Sequence, residues 1–437
     1  MKNYKIVCLI IIMLYSSIII AQQTPAPKQT KDFAIVGATA HLGNGEVIDK
    51  SLIIVKDGKL HTVVDMTVAK IDLAGIKVIN ANEKHVYPGF IIPNSTLGLV
   101  EIDAVKASDD DSEIGTWNPH IRSIIAYNAE SKVVESMRPN GVLLGQIAPR
   151  GGRISGTSSV VQFDAWNWED AAIKTDDGIH VNWPNSFSRG RWWLGENPGL
   201  KPNEKYVDQV SETANYFKQS KAYNKGNKAT TNLPFKALQG VFDGSKTLYI
   251  NVNDEKGITD AIHFSKENDI KNMVIVGGRE AYKVANRLKQ NNIPVLLQRV
   301  HSRPNNDDDD YDLPYKAAKL LVDKGVTVAL QVSAGGRMER MNSRNLPFYA
   351  GTTVAHGLTK AQALQLITLN PAKILRIDTN YGSLESGKSA TLFISEGDAL
   401  DMRTNNITHA FIDGREISLE THQTKLWKRY SKKYKNQ

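Results

Sequence analysis

The sequence predicts an α/β protein, a (β/α)8 TIM-like barrel with a small composite β-sandwich domain made from both terminal segments. Two observations support this fold class. Short β-type segments bordered by turn residues occupy both ends of the chain, whereas the middle alternates apolar strands with amphipathic helical patterns. Buried strands that alternate with helices are typical of a parallel sheet, open or closed into a barrel. The 437 residues suffice for one large core and one smaller core.

The N-terminal segment has the features of a secretory signal peptide. Lys2 and Lys5 precede an apolar run over residues 6–20, and Ala21 precedes a polar stretch. The run is too short for a membrane span, so we predict no transmembrane segment in the mature chain. Cys8, the one cysteine, lies within this run, and export without disulfides is compatible with a bacterial periplasm. We therefore expect an exported, periplasmic protein.

The rest of the chain divides into a β part, an α/β part and a second β part. Asp57-Gly58 is a strong hairpin signal near the start, and apolar strands at 273–276, 293–297 and 326–330 are separated by helical patterns. The predicted units are a signal peptide at 1–21, a linker at 22–32, the N-terminal part of the β-sandwich at 33–85, the barrel at 86–377, the C-terminal part of the β-sandwich at 378–420, and a basic tail at 421–437.

Several short motifs occur in a characteristic order. Val55 to Leu60 forms a hairpin with an Asp-Gly turn, and Tyr87-Pro88-Gly89-Phe90-Ile91 follows it; further motifs stand at 370–375, 382–388 and 413–415. In order and spacing these motifs resemble the amidohydrolase superfamily, particularly its imidazolonepropionase-like branch. The resemblance covers nearly the whole mature chain and ends before the basic tail. It implies hydrolysis of non-peptide carbon–nitrogen bonds with zinc or another divalent metal at the C-terminal mouth of the barrel.

The positions that carry the metal ligands in this family hold other residues here. Where the family has a His-x-His pair after the first barrel strand, this chain has Asn94 and Thr96. The next two family histidines fall at Asn251 and Gly277, and the catalytic aspartate falls at Ser333. Neutral amides and hydroxyls are poor zinc ligands. The resemblance therefore implies a degenerate active site without a bound metal or other cofactor, and the catalytic residues stay unassigned.

A glycine- and hydroxyl-rich segment at 150–159 offers a candidate ligand-binding loop. It follows a strand at 142–147 and contains Arg150, Arg153 and Ser155. Guanidinium groups suit a carboxylate or phosphate ligand, whereas a tight loop packed between strands is the alternative. His85 and His120, which fall near strand ends, are further candidates for the mouth.

Two charged segments have simple interpretations. Four consecutive aspartates at 307–310 predict an exposed loop. The basic tail interleaves cations with aromatic residues, which suggests nucleic acid or an anionic surface, but a solvated terminal helix explains the pattern and we predict no nucleic-acid partner. Its basic residues are Lys425, Lys428, Arg429, Lys432, Lys433 and Lys435, and its aromatic residues are Trp427, Tyr430 and Tyr434.

Three classes of function remain. The first is a pseudoenzyme that binds a small-molecule ligand or forms a homo- or hetero-oligomer with a catalytically complete amidohydrolase paralogue, and the missing metal ligands favour it. The second is an active amidohydrolase with an atypical or metal-free site, which family resemblance alone supports. The third is an envelope binding module that uses the tryptophan-rich segment at 166–193 and the basic tail.

Overall fold

The computed structural model describes residues 24–197, 199–226, 230–333 and 339–435. The predicted signal peptide and Cys8 lie outside these residues. The strands are β1 (Phe33–His41), β2 (Val47–Lys56), β3 (Lys59–Asp65), β4 (Lys77–Asn80), β5 (His85–Pro88), β6 (Phe90–Ser95), β7 (Val142–Ile147), β8 (Ile154–Gln162), β9 (Ala172–Asn182), β10 (Phe187–Arg189), β11 (Leu200–Pro202), β12 (Thr247–Val252), β13 (Met273–Gly277), β14 (Val295–Leu297), β15 (Val328–Leu330), β16 (Leu392–Ser395), β17 (Ile407–Ile412) and β18 (Arg415–Glu416).

Both terminal segments contribute strands to one sheet, as predicted. Its order is β18-β17-β16-β5-β1-β2-β3, and β4 pairs with β1 beside β5. β2 and β3 form the predicted hairpin, whose turn contains Asp57 and Gly58, both with positive φ. β5 from the N-terminal part pairs with β16 from the C-terminal part, and β16 pairs with β17. The two ends of the chain therefore form one composite β domain.

The central sheet has the order β15-β14-β13-β12-β9-β8-β7-β6 and forms the predicted barrel. Its neighbouring strands are parallel, except that β8 is antiparallel to both β7 and β9. The sequence predicts a loop at 150–159, but β8 begins at Ile154, so the prediction is wrong for residues 154–159. All of β8 is buried although it is rich in serine and threonine, and their hydroxyl groups form hydrogen bonds with neighbouring segments. The Thr157 hydroxyl, for example, donates to the Pro119 carbonyl at 2.8 Å.

A short segment joins the two edge strands of the barrel. The Leu330 N–H on β15 donates to the Leu366 carbonyl at 3.0 Å, and the Ile91 N–H on β6 donates to the Ile367 carbonyl at 2.9 Å. The barrel is thus nearly closed, and the ends of its parallel strands surround one mouth.

Helices cover the outside of the barrel and follow the predicted patterns at 257–267, 279–290, 314–324 and 359–368. Thr359 and Gln362 form a capping box at the start of the last of these. No helix in the described part of the chain is long and apolar enough to cross a membrane. The α-helices are Lys132–Glu135, Trp168–Ala171, Tyr206–Lys225, Leu233–Ala237, Gln239–Asp243, Glu255–Glu267, Ala285–Gln290, Leu313–Val322, Glu339–Asn342, Leu346–Ala355, Lys360–Gln365, Leu369–Ile374 and His422–Lys435.

A buried ion-pair network connects the β domain to the barrel. Asp164, which follows β8, accepts a hydrogen bond from the Arg138 guanidinium at 3.0 Å and another from the Arg415 guanidinium on β18 at 2.9 Å. The Ala26 N–H donates to the same carboxylate at 2.8 Å. Asp164 and Arg138 are almost fully buried. One carboxylate therefore holds the barrel, the C-terminal strand and the start of the described chain together.

Candidate functional site

Asn94, at the first predicted metal-ligand position, lies buried at the end of β6 with φ of 51°. Its backbone N–H donates to the Gln146 side-chain oxygen at 3.0 Å. The Arg150 guanidinium donates through Nη1 to Asn94 Oδ1 at 3.1 Å and through Nη2 to the Asn94 carbonyl at 2.8 Å. A cation is therefore fixed beside the side-chain oxygen that would face a metal.

The end of β15 meets Asn94 across the mouth. The Asn94 amide Nδ2 donates to Gln331 Oε1 at 3.4 Å, and Gln331 Nε2 donates to the Ser333 carbonyl at 2.7 Å. Gln331 is buried, whereas Ser333 and Thr96 are half-buried. The structure thus brings the first and last predicted ligand positions into one region, and Gln331 fills the space between them.

The two remaining predicted positions close the ends of β12 and β13. The Asn251 amide donates to the Val181 carbonyl at 3.3 Å, and the Asn251 carbonyl accepts from the Trp183 N–H at 3.0 Å. Gly277 has φ of 93°, and a Cβ there would stand 2.6 Å from Asn253 Oδ1. This backbone disfavours any side chain at Gly277, so a histidine at this position would require the strand end to rearrange.

Arg153 and Ser155 converge on Asn182 at the end of β9. Arg153 Nη1 donates to the Asn182 carbonyl at 2.5 Å, and the Asn182 amide donates to Ser155 Oγ at 3.1 Å. The same amide donates to the Gly151 and Gly152 carbonyls at 3.1 and 2.9 Å. Burial also lowers the pKa of Arg153. These side chains hold the β7–β8 turn against β9, and their predicted role in ligand binding stays a prediction.

A buried carboxylate lies below the mouth inside the barrel. Asp177 Oδ1 accepts from Ser158 Oγ at 2.7 Å, and Oδ2 accepts from Gln146 Nε2 at 2.9 Å and from the Tyr249 hydroxyl at 2.8 Å. Burial is the largest influence on Asp177 and raises its pKa, against the lowering effect of these donors. Since both oxygens are engaged, Asp177 organises the barrel interior and is poorly placed to act as a general base.

His180 lies one layer above Asp177 and is fully buried. Its ring stacks on Tyr249 with a centroid distance of 4.7 Å, and neither ring nitrogen has a hydrogen-bond partner among the described residues. Burial, with a smaller contribution from the nearby Arg150 guanidinium, lowers the pKa of His180 to about 3. A neutral imidazole therefore persists beside the guanidinium throughout the neutral pH range.

The donor set at the mouth does not fit a zinc ion. It consists of amides, hydroxyls, a glycine and a guanidinium, whereas zinc prefers imidazole, thiolate and carboxylate. Among the described residues, no group of three or more His, Cys, Asp or Glu side chains is arranged to hold a metal. We therefore derive no hydrolytic step through a metal.

The structure also places the remaining residues that the sequence singled out. His85 is part of the terminal sheet, where its Nδ1 lies 3.0 Å from His41 Nε2. His120 lies in the loop that pairs with β8 through Trp117 and Arg122. The aspartates at 307–310 form a mainly exposed loop, as predicted.

A cleft of about 1310 Å³ opens beside the mouth. Its wall includes the β10–β11 hairpin, with Phe187, Arg189 and Leu200, and the charged side chains of Asp254 and Arg279. The hairpin loop exposes 71% of Trp192 and 65% of Trp193. Such a cluster of exposed apolar side chains is typical of a surface that binds a ligand or another protein.

Comparisons with known proteins show similarity to amidohydrolases. The family model described as "Amidohydrolase family" matches residues 250–417. Amidohydrolase tasK of Hapsidospora irregularis is 25% identical over 359 residues, which are 70% of this chain and 34% of tasK. The chain thus spans about a third of the length of this curated relative.

Solved structures share the fold. An amidohydrolase from Thermotoga maritima MSB8 superposes with a TM-score of 0.75 at 22% identity, covering 88% of this chain and 99% of that one. A prolidase complexed with N-methylphosphonate-L-proline superposes with a TM-score of 0.53 at 13% identity, covering 89% and 99%. The barrel with its composite terminal sheet, together with these matches, defines an amidohydrolase-type fold. The chain is similar to the amidohydrolase family over residues 250–417.

Sequence reasoning missed four residues at the heart of the site: Gln146, Asp177, His180 and Gln331. Gln146, His180 and Gln331 are polar residues inside or directly after a strand and have apolar or glycine neighbours, whereas Asp177 follows a polar run within β9. A polar residue in a buried strand requires a partner, so this interruption was the signal available in the sequence. A polar residue in an apolar strand indicates a buried polar group, but it does not indicate the partner of that group, which comes from another strand.

Proposed function

We propose that this chain is a non-hydrolytic member of the amidohydrolase superfamily that acts by binding, either to a small ligand or to a catalytically complete paralogue. The observation that carries this proposal is the guanidinium of Arg150 at 3.1 Å from Asn94 Oδ1. The positive charge of the Arg150 guanidinium repels a divalent cation at this position. Its N–H groups also occupy the lone pairs of the Asn94 oxygens, which a metal ion would need for coordination.

The surroundings of the mouth support a binding role. The cleft of about 1310 Å³ is large enough for a small molecule or a peptide segment. The exposed Trp192 and Trp193 in the loop of the β10–β11 hairpin offer aromatic anchors of the kind that dominate protein interfaces. Export to the periplasm is part of the proposal and rests on residues 1–21.

The first prediction concerns hydrolysis. The purified protein is expected to show no zinc- or manganese-stimulated hydrolysis of N-acyl amino acids, dipeptides or cyclic imides. The Asn94→His/Thr96→His variant is expected to remain inactive, because Arg150 would still occupy the site and Asn251 and Ser333 would still lack ligand chemistry. Product release measured by mass spectrometry tests both expectations.

The control is a paralogue with an intact His-x-His motif, assayed in the same buffers. Adding the present protein to that paralogue tests the partner role, which predicts a change in its kcat or KM. Metal-stimulated turnover by the wild-type protein that disappears with a chelator would contradict the proposal.

A further inference from the structure

The C-terminal helix His422–Lys435 exposes an aromatic face to solvent, where the Lys433 ammonium lies 5.4 Å from the centre of the Tyr434 ring. Trp427, Tyr430 and Tyr434 expose 66%, 52% and 61% of their surface. None of them is among the hydrophobic residues that pack against the barrel core, although Leu419 just before the helix is. A helix in a globular protein normally buries its apolar face, so this exposed face needs an explanation.

Among the described residues, the helix is anchored only at its start. The His422 N–H donates to Glu135 Oε1 at 2.7 Å, and Thr421 is buried. The Thr424 N–H donates to the Thr421 hydroxyl at 3.1 Å, which caps the first turn. From Trp427 onward the described side chains are exposed, except the half-buried Ser431. The helix therefore extends from the surface with its length available to a partner.

Cations and aromatic residues occupy different faces of this helix. At about 100° per residue, the three aromatic residues fall within an arc of about 60°, and five cations fall within a separate arc of about 140°. The helix contains no acidic residue, and Glu420, just before it, pairs with Lys428 at 3.0 Å. These five cations are Lys425, Lys428, Arg429, Lys432 and Lys433, and the sixth basic residue of the helix, Lys435, falls about 20° beyond their arc.

This arrangement distinguishes two kinds of anionic partner. A nucleic-acid groove requires aromatic and basic side chains on the same contacting surface, so that bases stack while phosphates are neutralised. A helix that lies in a bilayer interface instead carries its aromatic residues on one face and its lysines and arginines on the other face and flanks. The observed separation matches the second arrangement, and the positive charge complements anionic headgroups.

We propose that the helix His422–Lys435 docks the protein on an anionic phospholipid bilayer, with Trp427, Tyr430 and Tyr434 inserted at headgroup level. The flanking cations attract the anionic headgroups, and the aromatic face supplies the apolar contact. This inference rests on the terminal helix alone and does not depend on what the barrel binds.

Vesicle co-sedimentation of the purified full-length protein tests the proposal. We expect binding to vesicles of phosphatidylcholine mixed with phosphatidylglycerol, weak or no binding to phosphatidylcholine alone, and a decrease with added salt. The variant Arg429→Gln/Lys432→Gln/Lys433→Gln should partition about a hundredfold more weakly, at about fivefold per cation. Trp427→Ala/Tyr430→Ala/Tyr434→Ala should also lose binding, and the fluorescence of wild-type protein should shift to the blue on binding.

The matched control is Trp192→Ala/Trp193→Ala, which removes two exposed aromatic residues from the β10–β11 hairpin and should bind vesicles like wild type. Circular dichroism of each variant verifies that it is folded. Equal binding to neutral and anionic vesicles, no binding to either, or unchanged binding by the aromatic variant would overturn the proposal. Retention on duplex or single-stranded DNA without vesicle binding would also overturn it, in favour of a nucleic-acid partner.

Discussion

The Asp164→Ala substitution is expected to lower the free energy of unfolding by about 3–5 kcal/mol, the range found when one partner of a buried ion pair is removed. Asp164 exposes 2% of its side chain and receives hydrogen bonds from Arg138 and Arg415. Without the carboxylate, the buried Arg138 guanidinium keeps its desolvation cost and loses its main counter-charge. Urea unfolding followed by circular dichroism measures the loss.

Glu416→Ala is the matched control, because Glu416 follows Arg415 on the same strand and also forms an ion pair. Its pair with Lys77 is 3.4 Å long, and both side chains are about half exposed. An exposed pair contributes about 1 kcal/mol or less, so this variant should unfold almost like wild type. Equal losses in the two variants would show that Asp164 does not join the β domain to the barrel.

Acidification is expected to destabilise the wild-type protein more than the His180→Phe variant. The pKa of His180 is lowered to about 3 by burial and by Arg150, whereas an unfolded chain titrates at the ordinary value of 6.5. Between these pH values the unfolded state binds the proton and the folded state does not, so stability is lost as the pH falls. The titration of His180 changes the free energy of unfolding by at most about 1.4 kcal/mol per pH unit.

Phenylalanine preserves the stacking on Tyr249 and removes the titrating group. The difference in unfolding free energy between wild type and variant should therefore be constant above pH 7 and change steadily toward pH 4. His263→Phe is the control, because His263 is exposed on the helix Glu255–Glu267. Urea unfolding midpoints recorded at several pH values test this pH dependence. If the midpoints of wild type and His180→Phe change in parallel with pH, His180 is not held neutral by burial.

Much of the fold was predictable because local signals and global topology agree. Asp57-Gly58 specified the hairpin of β2 and β3, and the apolar strands β13, β14 and β15 alternated with helical patterns. The antiparallel strand β8 was missed because its sequence is rich in serine, threonine and glycine. Such a strand is stable only where loops supply hydrogen-bond partners, as Pro119 does for Thr157. Local sequence does not contain that information.

In the candidate site, too, the sequence predicted the position of a residue but not its contacts with distant segments. The motif around Pro88-Gly89 identified Asn94 as the residue in the first ligand position, and the structure places Asn94 at the mouth. It did not indicate that Arg150 would turn back onto Asn94 or that Gln331 would approach from β15. These contacts join positions 56 and 237 residues apart in the chain, and only the closed barrel brings them together.

Metal content of the purified protein tests the central claim most directly, by elemental mass spectrometry before and after soaking with zinc. If Arg150 and the amides of Asn94 and Gln331 fill the mouth as described, zinc, manganese and iron should stay well below one equivalent per chain and should not rise after soaking. Near-stoichiometric metal that survives dialysis would contradict the account and restore the metal-dependent hydrolase as the best explanation of this barrel.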